Sequence, residues 1–285
     1  MSSQLDFIFD GYSIVGAGRQ QFAVPLDADP EWVKRLAVTN ASYPNYSSLD
    51  YAYRKFSDDF IFVHKHSKID SLIHSALAIS SKITSSVLEK RSRLRGLPDH
   101  FGLLTSGAAM MRLQSTFKSA RLMAFHGFIF ETSSLLRLAL EQIAWAYQVR
   151  KFPDGKVKEF SPRKAISELK KLIPEAGELY GRLSERAHIE RKHLRRLVDL
   201  SGEQIRVLLS NKEDILYEVS ILLDLSDWYG IVMEMNYQEF YDSFEFIKKE
   251  HDFFVPNSKR KSLSSVSRWI RKASKYEEDN LKVRE

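Results

Sequence analysis

The sequence predicts an all-α protein, a multi-helix bundle with an irregular N-terminal extension and a basic C-terminal tail. Only 12 Gly and 8 Pro occur among its 285 residues, so turn signals are too few for many short strands. Hydrophobic residues make up 44% of the chain, which is enough to build a core in a chain of this length. In the central part they recur at three- and four-residue spacing, which is typical of amphipathic helices.

The N-terminal 48 residues differ in texture from the rest of the chain. Six Gly and Pro residues lie between positions 11 and 44, and such residues mark turns and loops. We therefore predict an irregular N-terminal extension over residues 1–48, with a short strand at residues 7–9 or 22–24. A helical bundle is predicted over residues 49–256, and a basic tail over residues 257–285.

Three long helices are predicted in the first half of the bundle. Apolar residues within 72–88 recur at helical spacing, and that helix is expected to end before Gly96. The next helix is predicted to begin near Ser106, a residue type that favours the N-cap, and to end near Gly127. The third covers residues 128–150 and is apolar on most sides, which predicts that it is the central helix of the bundle.

Shorter helices are predicted in the second half. Ser161 followed by Pro162 matches an N-cap and a proline in the first turn, so a short helix is expected there. Pro174 ends that helix, because proline cannot continue it. The next helix is predicted to run to about residue 200, and one or two further helices cover residues 205–247.

The composition also limits the classes of protein that this chain can represent. It contains no Cys, which excludes disulfide frameworks, thiol nucleophiles and cysteine-based zinc sites and indicates a reducing compartment. The most apolar segment, residues 135–149, contains Arg137 and Glu141 and is too short and too charged to span a bilayer. We expect a soluble cytoplasmic protein without a metal ion or another cofactor, since no motif for either is evident.

Basic residues are concentrated near the C-terminus. The chain has a formal net charge of +6 and a pI near 9.2, and residues 259–275 contain seven Lys or Arg and no acid. We predict that the folded body ends at Pro256 and that a short amphipathic helix surrounds Trp269. A basic run suits a polyanion such as RNA or DNA, and it equally fits a solvated helix face. The candidates for contacts with nucleic acid are Arg191, Lys192, Arg195, Arg196, Arg268, Trp269, Arg271 and Lys272.

The densest group of polar residues lies within 180–193. Arg186 and His193 are seven residues apart and lie on one flank of a predicted helix, so they form one candidate catalytic pair. Arg182 and His188 form a second candidate pair. Histidine suits proton transfer at neutral pH, and arginine suits the stabilisation of charge on phosphoryl oxygens. On a surface helix the same residues can instead form a solvated charged face.

An Arg followed at this loose spacing by a His, in a mostly helical and mildly basic chain, resembles the HEPN superfamily over about residues 106–247. The resemblance implies a metal-independent endoribonuclease of a toxin–antitoxin or antiviral (phage) defence system. It also implies a homodimer that binds RNA between facing helices, with an antitoxin or another protein as a possible partner. In such an enzyme the ribose 2′-hydroxyl attacks the adjacent phosphate while a histidine takes the proton.

A second set of polar residues is predicted to meet inside the bundle. Arg137 and Glu141 lie four apart on an apolar helix, where their charges are costly to bury unless they are paired. The surrounding segment, together with the later segment YGRLSERAH, resembles a group of uncharacterised bacterial helical proteins. The matching positions are Arg137, Glu141, Ser184 and His188. We predict that these four residues form a polar core network, either as a structural lock between two helices or as part of a catalytic site.

Three functional hypotheses follow from these features. The first is a HEPN-like, metal-independent endoribonuclease. The second is a non-catalytic helical scaffold or adaptor that binds nucleic acid or a protein partner, in which the Arg, Glu and His residues only organise the core. The third is an enzyme of another class, whose site the sequence does not reveal.

Overall fold

A computed structural model describes residues 12–17, 20–25, 29–42, 48–56, 68–96, 100–152, 161–187, 198–199, 206–207 and 214–284. The chain divides into two compact units, residues 1–74 and 75–285, and each is described by itself. The fold is mostly all-α, as predicted. The predicted boundaries after residues 48 and 256 stay predictions. None of the helices in the described ranges is long and apolar enough to cross a membrane.

The first unit begins with an antiparallel hairpin of β1 (Tyr12–Ala17) and β2 (Gln20–Pro25). Helices α1 (Pro30–Ser42) and α2 (Leu49–Phe56) follow, and α1 contacts both β1 and α2. Strand β2 includes the predicted strand at 22–24, whereas residues 7–9 lie outside the described residues. Residues 30–42 form a helix where irregular structure was predicted. The carboxylate of Asp29 accepts a hydrogen bond from the Glu31 N–H at 2.8 Å, which satisfies one of the free donors at the start of α1.

The second unit is built around one central helix. That helix contacts four others, and it covers residues 129–149 of the segment 128–150 that was predicted to be central. Two short antiparallel strand pairs and one 3₁₀ turn lie between the described helices of this unit. The elements that complete the fold are α3 (Lys68–Ser92), α4 (Phe101–Phe125), α5 (Ile129–Val149, the central helix), α6 (Pro162–Leu169), α7 (Ala176–Arg186), β3 (Val198–Asp199), β4 (Arg206–Val207), α8 (Leu216–Asn236), a 3₁₀ turn (Gln238–Phe240), β5 (Ile247–Glu250), β6 (Phe253–Pro256) and α9 (Lys261–Arg284).

Helix α4 begins earlier than predicted, because a histidine caps it instead of Ser106. The His100 side chain accepts a hydrogen bond from the Leu103 N–H at 3.2 Å. Ser106 lies inside the helix, where its buried hydroxyl donates to the carbonyl of Ala146 on α5 at 2.9 Å. A methyl group added to Gly102 would lie 2.4 Å from the Phe152 carbonyl, so only glycine permits this close approach after α5.

The helices on either side of residue 200 are shorter than predicted. Helix α7 ends at Arg186, with the Ala187 N–H bonded to the Leu183 carbonyl at 2.9 Å. The prediction of one helix to residue 200 is wrong, because residues 198–199 form a strand paired with residues 206–207. The prediction of helix from residue 205 is wrong for the same reason.

The chain after α8 turns into a hairpin where helix was predicted up to residue 247. The buried carboxylate of Glu234 accepts backbone hydrogen bonds from the N–H groups of Glu245, Phe246 and Ile247 at 2.7 to 3.1 Å. Strand β5 starts at the last of these residues and pairs with β6. Side-chain contacts across 11 to 13 positions of the chain therefore hold the start of this hairpin against α8, and local periodicity does not reveal them.

The C-terminal segment, which the sequence analysis described as a tail after Pro256, forms a long helix that packs against the second unit. Helix α9 is 24 residues long and contacts α8. Its buried face carries Val266, Trp269 and Ala273, exposed by only 1%, 2% and 6%. These positions repeat at three- and four-residue spacing, so one continuous stripe anchors the helix.

Candidate functional site

The predicted catalytic residue Arg186 lies in a buried ion pair. Its Nε donates to Oε1 of Glu218 at 2.7 Å, and its Nη2 donates to the same oxygen. Glu218 is fully buried on α8 and also accepts a hydrogen bond from the hydroxyl of Ser133 on α5 at 3.2 Å. The guanidinium lies over the ring of Tyr217, 4.4 Å from its centroid. Arg186 therefore joins α7, α8 and α5.

This geometry favours a structural role for Arg186. To stabilise charge on a phosphate, the guanidinium would have to leave Glu218 and strand a fully buried carboxylate. Breaking a buried ion pair in that way costs about 3–5 kcal/mol. Its predicted catalytic partner His193 and the second candidate, His188, lie outside the described residues, as do Arg191, Lys192, Arg195 and Arg196.

The predicted polar network is present in part. Arg137 Nε donates to Oε1 of Glu141 at 3.1 Å, and the side chains are 30% and 22% exposed. The contact from α7 comes from Tyr180, whose hydroxyl lies 3.4 Å from Arg137 Nη2, rather than from Ser184. The Ser184 hydroxyl instead donates to the Tyr180 carbonyl at 2.8 Å. The hydrogen bond that Arg137 donates to the Tyr180 hydroxyl is the largest cause that raises the pKa of Arg137.

A cleft that the sequence analysis missed lies between α7, α8 and the start of α9. Its volume is about 520 Å³, within the range of small-molecule sites. We call it the acidic cleft. Its charged lining residues are Glu175, Arg182, Asp224, Asp227 and Arg260, and its apolar lining includes Leu179, Trp228 and Ile231.

Two aspartates one turn apart on α8, Asp224 and Asp227, line this cleft and differ in their bonded partners. Asp227 forms a bidentate pair with Arg260, with Nε to Oδ1 at 2.7 Å and Nη2 to Oδ2 at 2.5 Å. The Ser262 hydroxyl donates to Oδ1 at 2.6 Å. The two charged side chains are only 4% and 10% exposed, so this pair is closed to further partners.

Asp224 has no hydrogen bond or ion pair within the part of the chain that the structure describes. Burial raises the pKa of its carboxyl to about 7, and the negative charge of Asp227 adds to the effect. The guanidinium of Arg182 opposes it, but Arg182 is 49% exposed and its Nε lies 3.7 Å from Glu178. The spacing of the two aspartates on an apolar helix was the available signal in the sequence.

The outward side of α9 carries an unpaired basic face, which we define as Arg268, Arg271, Lys272 and Lys275. All four residues are exposed, and no hydrogen bond or ion pair to them is found among the described residues. Trp269, predicted as a contact to nucleic acid, is buried on the opposite face. Trp269 is therefore not an exposed aromatic contact, as was predicted, because its indole is buried and anchors the helix.

No group of three His, Asp or Glu side chains suited to a metal ion occurs in the described ranges. Comparison of the chain with the families of known proteins, with curated sequences and with solved structures gives no match. The resemblance to the HEPN superfamily therefore stays a prediction.

Proposed function

We propose that this mostly helical protein is a non-catalytic binding protein that contacts nucleic acid, RNA in the first place, through the basic face of α9. The observation that carries the proposal is the exposure of four unpaired cations on a helix whose other face is anchored. Arg and Lys neutralise phosphates and release condensed counterions, which supplies most of the affinity in sequence-independent binding.

The spacing of the four cations suits an extended phosphate chain. Arg268, Arg271, Lys272 and Lys275 lie at intervals of three, one and three residues, so they share one side of the helix over about 10 Å. Because the buried Trp269 anchors α9, the helix backbone that carries the cations is already ordered before binding. Less entropy is then lost when a ligand binds.

A polyanion in solution fits this face better than an anionic membrane. A helix that lies on a bilayer inserts its apolar face among the lipids. On α9 that face, with Val266, Trp269 and Ala273, is already buried within the protein. Next to that buried face, Ile270 is 38% exposed, and one such residue gives little apolar surface for insertion.

The binding test uses a fluorescently labelled single-stranded RNA and the change in its anisotropy at increasing salt. We expect micromolar affinity that falls with salt, and the variant with Gln at positions 268, 271, 272 and 275 should bind much more weakly. Each lost phosphate contact should reduce the slope of log affinity against log salt by about 0.7 for a single strand. The total change is expected to be about 3.

The matched control removes four exposed basic residues elsewhere, with Gln at Arg112, Arg163, Lys164 and Lys170. If this control weakens binding as much as the α9 variant, net charge rather than the α9 face is responsible. Equal affinity of the α9 variant and the unchanged protein would contradict the proposal. The same titration with duplex DNA of equal length shows whether the protein binds RNA more tightly than DNA.

The endoribonuclease hypothesis is a separate prediction that the same preparation tests. Incubation with RNA in EDTA yields fragments with 2′,3′-cyclic ends if the protein cleaves RNA by attack of the 2′-hydroxyl. Cleavage lost on His193→Ala would support a catalytic role and contradict the non-catalytic proposal. A homodimer, an antitoxin or another protein partner, and a cytoplasmic location likewise stay predictions.

A further inference from the structure

We propose that the acidic cleft binds a small organic cation, a primary amine attached to an apolar body, with Asp224 as the counter-ion of the amine. The proposal is independent of the basic face of α9, which carries the opposite charge and takes a different class of ligand.

The charges of the cleft leave one carboxylate available. Asp227 is neutralised by Arg260 and has a further hydrogen bond from Ser262. At the rim, Glu175 and Arg182 are both exposed and opposite in charge. Asp224 remains as the carboxylate on the wall of the cleft that has no bonded partner among the described residues. When Asp224 is ionised, as at the pH 8 of the test below, the unbalanced charge of the cleft is negative, which favours a cation.

Removal from water makes this carboxylate a stronger site for a cation than an exposed one. An ion pair gains more in a low-dielectric environment than in bulk water. Asp224 is half-buried on the wall of the cleft, its burial raises the pKa of the carboxyl, and an ammonium group would supply it with hydrogen-bond donors. A charge-assisted hydrogen bond between ammonium and carboxylate is the strong kind.

The remaining lining indicates the rest of the ligand. Trp228 is 8% exposed and Leu179 only 3%, and both line the cleft together with Ile231. Apolar walls of this kind bury a hydrocarbon or aromatic group. A metal ion fits less well, because it requires several protein oxygen ligands and Asp227 is already occupied by Arg260.

The test measures the binding of 2-phenylethylamine to the full chain at pH 8 by isothermal titration calorimetry. We expect one site per chain. The neutral analogue phenylethanol and the anion phenylacetate should bind at least about tenfold more weakly, since both lack the ammonium group. The variant Asp224→Asn should weaken amine binding by at least about tenfold and leave the weak binding of phenylethanol unchanged.

Asp252→Asn serves as the matched control, because Asp252 is exposed in the turn between β5 and β6. It should leave amine affinity unchanged, and circular dichroism of both variants tests whether they are folded. Equal affinity for the amine and phenylethanol, equal affinity of Asp224→Asn and the unchanged protein, or absence of amine binding at millimolar concentration would each overturn the proposal. Tighter binding of phenylacetate, lost on Arg182→Gln, would identify an anion site instead and would also overturn it.

Discussion

The two aspartates of the acidic cleft show how different two neighbouring carboxylates can be. Asp227 has a bidentate arginine and a serine hydroxyl, and it is almost fully buried. Asp224, one turn earlier on the same helix, has no such partner within the described residues. A buried carboxylate is tolerated where its hydrogen bonds are satisfied. A carboxyl group without such bonds has a raised pKa and is free to pair with a cationic ligand. The comparison separates a structural carboxylate from a candidate binding group.

The largest expected effect on stability comes from breaking the buried ion pair between Asp227 and Arg260. Arg260→Met should lower the free energy of unfolding by about 3–5 kcal/mol, because it leaves the charge of Asp227 buried without its partner. Denaturant unfolding measures the change. The double variant Arg260→Met with Asp227→Asn should recover much of the loss, since the stranded charge is removed.

Arg271→Met on the exposed side of the same helix is the control for that variant. It should change stability by less than about 0.5 kcal/mol. A similar loss for Arg260→Met and Arg271→Met would mean that the buried pair contributes no more than an exposed arginine.

Substitution of Asp224 should raise stability, which is the opposite of the effect expected for Arg260→Met. The folded-state pKa of Asp224, about 7, exceeds the ordinary value near 3.9. As pH rises through this window the unfolded chain loses the proton first, so Asp224 lowers stability progressively, and the full penalty is present above pH 7. Asp224→Asn should therefore stabilise the protein at pH 8, by on the order of 2 kcal/mol, and have almost no effect at pH 4. Thermal unfolding at the two pH values measures this, and an equal effect at both would be evidence against a raised pKa.

The smallest effect is expected at the half-exposed pair of Arg137 and Glu141. Arg137→Ala should lower the free energy of unfolding by no more than about 1 kcal/mol, because solvent screens the pair and its side chains are 30% and 22% exposed. The fully buried network that the sequence predicted would instead give a loss comparable to that of Arg260→Met. Chemical denaturation of the two variants under the same conditions distinguishes these cases.

Local patterns predicted some elements well for identifiable reasons. The N-cap Ser161 and Pro162 mark the start of α6, because capping depends on adjacent residues alone. The contact between Arg137 and Glu141 followed from their helical spacing. The region around residue 200 and the β5–β6 hairpin were predicted incorrectly, since the pairing of strands and the Glu234 contacts join residues that local periodicity does not relate.

The sequence by itself determined the helical class, the central position of α5 and the presence of a basic stripe on α9, because hydrophobic spacing and charge are local properties. Only the tertiary structure decided which charged side chains are paired with one another inside the protein. Arg186 meets Glu218 across 32 positions of the chain, and Arg260 meets Asp227 across 33. Burial and pairing depend on which helix faces meet, so the same side chains become structural locks, a binding face or an open counter-ion only after the helices have packed.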